Sequence, residues 1–178
     1  DLLRSVRHRA DAGDTAYWRL LGELAWRQGS PEDTLVAYHT LWQSPEPDAL
    51  TAERLMIVSR DQGQTGQALT TATAAWVRFR QPRFLLFAMD LASQTGRWED
   101  VTRLAVLADQ SPQMFASSES HWLLRAQLAN HNKHPQQARA AYQQVLKLNP
   151  QSSPARAGLL WLLIDNYSNT GGERADLA

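Results

Sequence analysis

Arginines, carboxylates and one tryptophan recur at helical spacing early in the chain: Arg19, Glu23, Trp26 and Arg27, then Glu53, Ile57, Arg60 and Asp61, then Arg83, Leu86, Asp90 and Gln94. A fourth set, Leu123, Gln127, Asn130 and His131, is richer in amides. Residues three or four positions apart share one helix face, so each set forms a single stripe. The chemistry available to such stripes is non-covalent: ion pairing, hydrogen bonding and stacking, as on a groove that grips a protein or a polysaccharide. The competing reading is a solvated face on which opposite charges such as Arg19 and Glu23 pair with each other.

Two further clusters invite more specific chemistry. Trp76, Arg78, Phe79, Arg80, Arg83 and Phe84 interleave cations with rings, as a nucleic-acid or anion patch does. Helical spacing instead sends Trp76 and Phe79 into a hairpin interior, and Pro82 opens the next helix, so packing explains the cluster better. His131-x-x-His134 straddles a helix end and has no third ligand nearby in sequence, which favours surface histidines over a zinc site. His8, His39 and His121 are isolated. Trp18, Trp42, Trp76, Trp98 and Trp122 occupy positions expected to be core, which leaves Trp26 as the exception.

Catalysis finds little support. The chain has no Gly-rich phosphate loop, no Gly-x-Ser-x-Gly, no His-Glu-x-x-His and no carboxylate pair in apolar surroundings. The absence of cysteine removes disulfides, thiol nucleophiles and thiolate metal sites together. We therefore expect neither enzyme activity, nor a cofactor, nor a bound metal. Eighteen basic residues balance eighteen acidic ones, and the zero net charge argues against nucleic acid as a partner. No apolar run approaches the roughly 20 residues of a spanning helix, so the segment is not expected to be membrane-embedded. It opens on Asp1 inside an amphipathic pattern (Leu2, Leu3, Val6), as a piece of a larger protein would.

The elements that position the stripes are helices. Isoleucine occurs only at Ile57 and Ile164, Ala and Leu abound, and apolar residues recur at helical spacing. Ser30-Pro31 and Ser153-Pro154 each place a capping hydroxyl before a proline suited to the first helical position, and His134-Pro135 and Gln81-Pro82 start further helices. The glycines set a period: Gly29 to Gly63 is 34 residues and Gly63 to Gly96 is 33, with Lys133 in the same place in the next repeat. Thr34, Ala68, Val101 and Ala138 follow five residues later, where helices approach closely.

Trp18-x-x-Leu21-Gly22, Gly29, Tyr38, Leu41 and Pro45 resemble the tetratricopeptide (TPR) pattern, as do Trp122, Ala126, Ala129, Ala138, Tyr142, Val145 and Pro150. Two intervening repeats are degenerate, with Ala52 and Leu85 in place of the Trp and Ala72 and Ala105 in place of the Tyr. The expected fold is all-α: a right-handed superhelical solenoid of antiparallel helical hairpins with about four full repeats plus partial end repeats. The expected divisions are 1–14 as the second helix of a preceding repeat, repeats at 15–48, 49–81, 82–118 and 119–152, and a truncated repeat at 153–178. The run Leu159 to Ile164 is too apolar for a solvent-facing end, so further repeats or a partner are expected to cover it.

Three stretches narrow the resemblance: Leu41 to Leu50 with Ala52 to Leu55, Pro82 to Leu86 with Gly96 to Asp100, and Ala155 to Asp165. Together they are similar to the periplasmic TPR region of PelB-type exopolysaccharide exporters. That resemblance implies a periplasmic segment of an outer-membrane protein whose parent carries a β-barrel. It further implies a non-catalytic scaffold that binds a PelA-like deacetylase/hydrolase and helps deliver Pel polysaccharide to the pore. Direct guidance of the polymer, a generic adaptor role and a pure spacer are the alternatives.

Overall fold

The computed structural model describes residues 14–175, with side chains placed as far as Asp165. The reading of the first residues as the second helix of a preceding repeat lies outside the described residues. Among the described residues every regular element is helical: α1 (Thr15–Gln28), α2 (Pro31–Trp42), α3 (Ala49–Asp61), α4 (Thr65–Phe79), α5 (Pro82–Gln94), α6 (Trp98–Asp109), α7 (Glu119–His131), α8 (Pro135–Leu148) and α9 (Ser153–Ala175). A short 3-10 turn, Pro112–Met114, which the sequence reading did not anticipate, lies between α6 and α7.

Local chemistry sets the boundaries. Asp14 and Asp48 cap α1 and α3 by accepting the backbone N–H of Tyr17 at 3.0 Å and of Thr51 at 2.7 Å. Ser30 holds the expected capping position before Pro31, but its hydroxyl donates to Asp33 at 3.0 Å and makes no cap bond to the helix. α9 begins at Ser153 itself, so that hydroxyl lies inside the helix and not before it.

Gly29, Gly63 and Gly96 all adopt left-handed conformations, with φ of 67°, 70° and 70°. Lys133 takes the same turn at φ 57°, as its place in the period requires. A Cβ crowds the backbone there. Lys133→Gly is therefore expected to raise stability by about 0.5–1 kcal/mol, the relief of left-handed strain exceeding the added chain entropy. A urea midpoint that stays constant or falls would contradict this.

Contacts divide the chain into an N-terminal unit, 1–91, and a C-terminal unit, 92–178, with the boundary inside α5. In the first, α1 packs on α2, α2 on α3 and α3 on α4; in the second, α7 packs on α8 and α8 on α9. Trp18, Leu21, Ala37, Tyr38, Leu41, Leu55 and Val58 form one core. Ala126, Ala129, Ala138, Ala141, Tyr142, Val145 and Ala155 form another, with Leu159 and Leu162 packed against it.

The second repeat keeps its volume by exchange. In the first repeat Gly22 leaves room for the Tyr38 ring, whose atoms stand 3.2 Å from where a Cβ would lie. The corresponding positions of the second repeat carry Met56 and Ala72, both buried, so the large residue has moved from the second helix to the first. The third repeat carries the same residue types at these positions, Met89 and Ala105, and the fourth returns to Ala126 and Tyr142. Volume-conserving swaps of this kind are the ones close-packed interiors tolerate.

The tryptophans divide differently from the expectation. Trp18 and Trp76 are buried, whereas Trp42, Trp98 and Trp122 are only half-buried. Trp122 turns its indole N–H outward to the Ala116 carbonyl at 3.0 Å. Position in the period assigns a face of the helix but not a depth.

Candidate functional site

In the N-terminal unit, the predicted stripe residues lie on α1, α3 and the start of α5, and many are tied to a neighbouring first helix. Arg19 on α1 forms an ion pair with Asp48, the cap of α3. Burial opposes the charge on Asp48, but hydrogen bonds from Arg19 and Thr51 outweigh it and hold the carboxyl below its ordinary range. Trp26 on α1 lies half-buried beneath Arg54 of α3, whose guanidinium carbon is 3.9 Å from the ring centroid. Glu53 on α3 meets Arg83 on α5 at 3.1 Å, and Arg60 on α3 sits 5.6 Å over the Phe87 ring of α5.

Other members of the set are held within their own repeat. Glu23 accepts from Arg27 and from the Tyr38 hydroxyl, the latter at 3.5 Å. Burial, reinforced by the Glu23 charge, raises the Tyr38 pKa above its usual value. Arg60 also pairs with Asp61 at 2.8 Å. Ile57 is half-buried, and Arg27 and Asp90 are exposed.

The remaining predicted residues belong to the C-terminal unit. Gln127 accepts from the Ser93 hydroxyl at 2.9 Å, and Asn130 donates to the Tyr142 hydroxyl at 3.0 Å. His131 stacks on Trp98 with centroids 4.4 Å apart and planes 12° apart. Gln94 is exposed. An open groove of about 510 Å³ runs between α7 and α8, lined by Trp122, Arg125, Asn132, Gln137 and Gln144, and Arg125 is tethered to Asp109 at 3.0 Å.

Sequence reasoning missed Arg54, Phe87 and Trp98 as parts of these surfaces. A signal existed for Arg54: it stands two residues after Ala52, where a first helix turns toward the preceding hairpin, and Trp26 there was already exceptional. The groove on the fourth hairpin lay outside the stripes considered. The arginine and aromatic cluster near Pro82 is packing, as expected: Trp76 is buried, Phe79 leans on Trp42 and Phe84, and Arg78 donates to the Pro45 carbonyl.

His121 carries a different property. It is buried between Phe115 and Trp122, and its Nδ1 has no hydrogen-bond partner. Burial, helped by the Arg125 charge and opposed by Asp109, lowers its pKa below the ordinary value of 6.5. The unfolded chain therefore takes up the proton first as pH falls, and stability present above 6.5 is lost between that value and the lower folded one. We expect acidification from pH 7 to 5 to lower the unfolding midpoint of the C-terminal unit. His121→Leu should flatten that dependence in a pH series of urea melts, and an unchanged slope would contradict it.

Short helical hairpins, a seam that trades a small residue for a large one, and polar stripes on the first helices together define an all-α hairpin-repeat protein. A tetratricopeptide repeat model matches residues 1–173, and the chain belongs to the tetratricopeptide repeat family. No curated protein matches it. Repeats of this kind are typically non-catalytic scaffolds for protein–protein interaction. No helix among the described residues is long and apolar enough to cross a membrane.

Proposed function

We propose that this chain is a periplasmic scaffold of an exopolysaccharide export machine, which docks a PelA-like deacetylase/hydrolase on the first-helix face of its N-terminal unit. In this reading the parent protein carries the outer-membrane barrel, and the scaffold brings the enzyme and its Pel polysaccharide to it. The family assignment supports a protein partner, and the three PelB-like stretches support the particular machine. The observation that carries the docking face is the set of lateral contacts Trp26–Arg54, Glu53–Arg83 and Arg60–Phe87. They hold charged groups in fixed positions at the surface, which lowers the entropy lost when a partner orders them.

Direct guidance of a cationic polymer fits this surface less well. Arg54 covers a face of the Trp26 ring that a sugar would need for stacking, and Glu53 and Asp61 are already neutralised by Arg83 and Arg60. Calorimetric titration of the chain with a PelA-like enzyme tests the proposal. Reversing Arg60 and Asp90 in charge is expected to weaken binding by about tenfold or more. Unchanged affinity in correctly folded variants would sink the docking assignment.

A further inference from the structure

We propose that the outer face of α9 is a self-association surface, covered by the same face of a second copy of this chain. One side of α9 is already used: Ala155, Leu159 and Leu162 pack on the α8 core, and Gly158 lies under Tyr142. On the opposite side Leu160, Trp161, Leu163 and Ile164 are 59%, 70%, 56% and 46% exposed. Helical spacing places Ala157, Leu160, Trp161 and Ile164 on one stripe, with Leu163 at its edge.

The repeat shows what kind of object this face fits. Leu160 stands where the earlier repeats have Gly22, Met56, Met89 and Ala126, and Leu163 stands where they have Ala25, Ser59, Ala92 and Ala129. All of those residues are buried. Trp161 and Ile164, by contrast, stand where those repeats have Glu23, Ile57, Asp90 and Gln127, and Trp26, Arg60, Ser93 and Asn130, none of them buried, so this apolar stripe exceeds what a repeat covers with its own hairpin and fits an apolar partner.

Three features make a second α9 the occupant. The exposed fractions amount to roughly 500 Å² per copy, or about 1,000 Å² across a symmetric pair, which reaches the size at which specific interfaces begin. The chain's net charge is zero, so two copies meet no long-range repulsion. No charged side chain lies within the stripe; Arg156 and Asp165 sit at its two margins. An antiparallel isologous pair would also set the two helix dipoles in their favourable sense and place small Ala157 where the backbones approach. This inference concerns a different surface from the enzyme-docking face and does not depend on it.

Analytical ultracentrifugation of the full chain across about 1–500 μM tests it, that window spanning the affinities a minimal interface supports. A monomer–dimer equilibrium is expected, with Trp161 emission shifting to the blue as concentration rises. Leu160→Glu and Trp161→Glu should each weaken association at least about tenfold, since each puts a charge into the apolar centre. Both residues are exposed, so helicity and thermal midpoint should hold, and Val106→Glu, at a residue 56% exposed on α6, should leave association unchanged. A monomer at every concentration, as when another protein or another segment is the natural cover, would overturn the proposal. So would a dimer indifferent to both α9 substitutions.

Discussion

Gly158→Ala is expected to loosen α9 from α8 and to destabilise the C-terminal unit by about 3 kcal/mol, at the upper end for overpacking a close-packed seam. The added methyl would fall within the contact radius of the Tyr142 ring. That ring is buried and its hydroxyl accepts from Asn130, so it cannot swing aside without losing a hydrogen bond and uncovering Val145 and Ala155. A double-mutant cycle isolates the clash. In a Tyr142→Ala background Gly158→Ala should be neutral or stabilising by up to about 1 kcal/mol, the usual gain of Ala over Gly in a helix. Hydrogen exchange should show α9 opening before α7 and α8. A loss below about 0.5 kcal/mol in the single variant would mean that the ring has more room than the structure gives it.

Trp76→Ala is expected to cost the N-terminal unit about 3–5 kcal/mol. Its side chain is among the largest fully buried ones, at 1% exposure, and the Arg80 guanidinium covers the ring at 5.6 Å. The cavity cannot collapse easily, because Ala68, Ala72 and Ala75 on the same helix are small and already buried. By contrast Trp122→Ala, which its place in the repeat makes look equally severe, should cost only about 1–2 kcal/mol, because that indole is half-buried. Comparable losses from the two substitutions in denaturant melts would show that position in the period, and not burial, decides the energetics.

That contrast shows how far the sequence could be read. The period was legible because left-handed turns leave a mark: Gly29, Gly63 and Gly96 announce them, and Lys133 follows by spacing. The helix starts at Pro31, Pro82 and Pro135 were equally plain, since proline fits the first helical turn. What Met56 and Ala72 do together was hidden, because each alone reads as a departure from the pattern and only the seam between helices shows the compensation. The stripe residues were assigned to the correct helices, but their lateral contacts join positions about 30 residues apart and depend on how neighbouring hairpins pack. Periodicity could not supply Trp26 under Arg54, nor the depth of Trp98. Phe115, buried beside the unforeseen turn at Pro112, belongs to a link that no repeat pattern describes.

The first helices of the N-terminal unit are proposed to receive a protein partner. Hydroxyl-radical footprinting of the chain, alone and saturated with a PelA-like enzyme, tests it at the side chains themselves. Oxidation of Trp26, Ile57 and Phe87 is expected to fall several-fold in the complex, while Val77, exposed on the second helix α4, keeps its rate. Unchanged rates at those three residues, or protection centred on Val77, would contradict it.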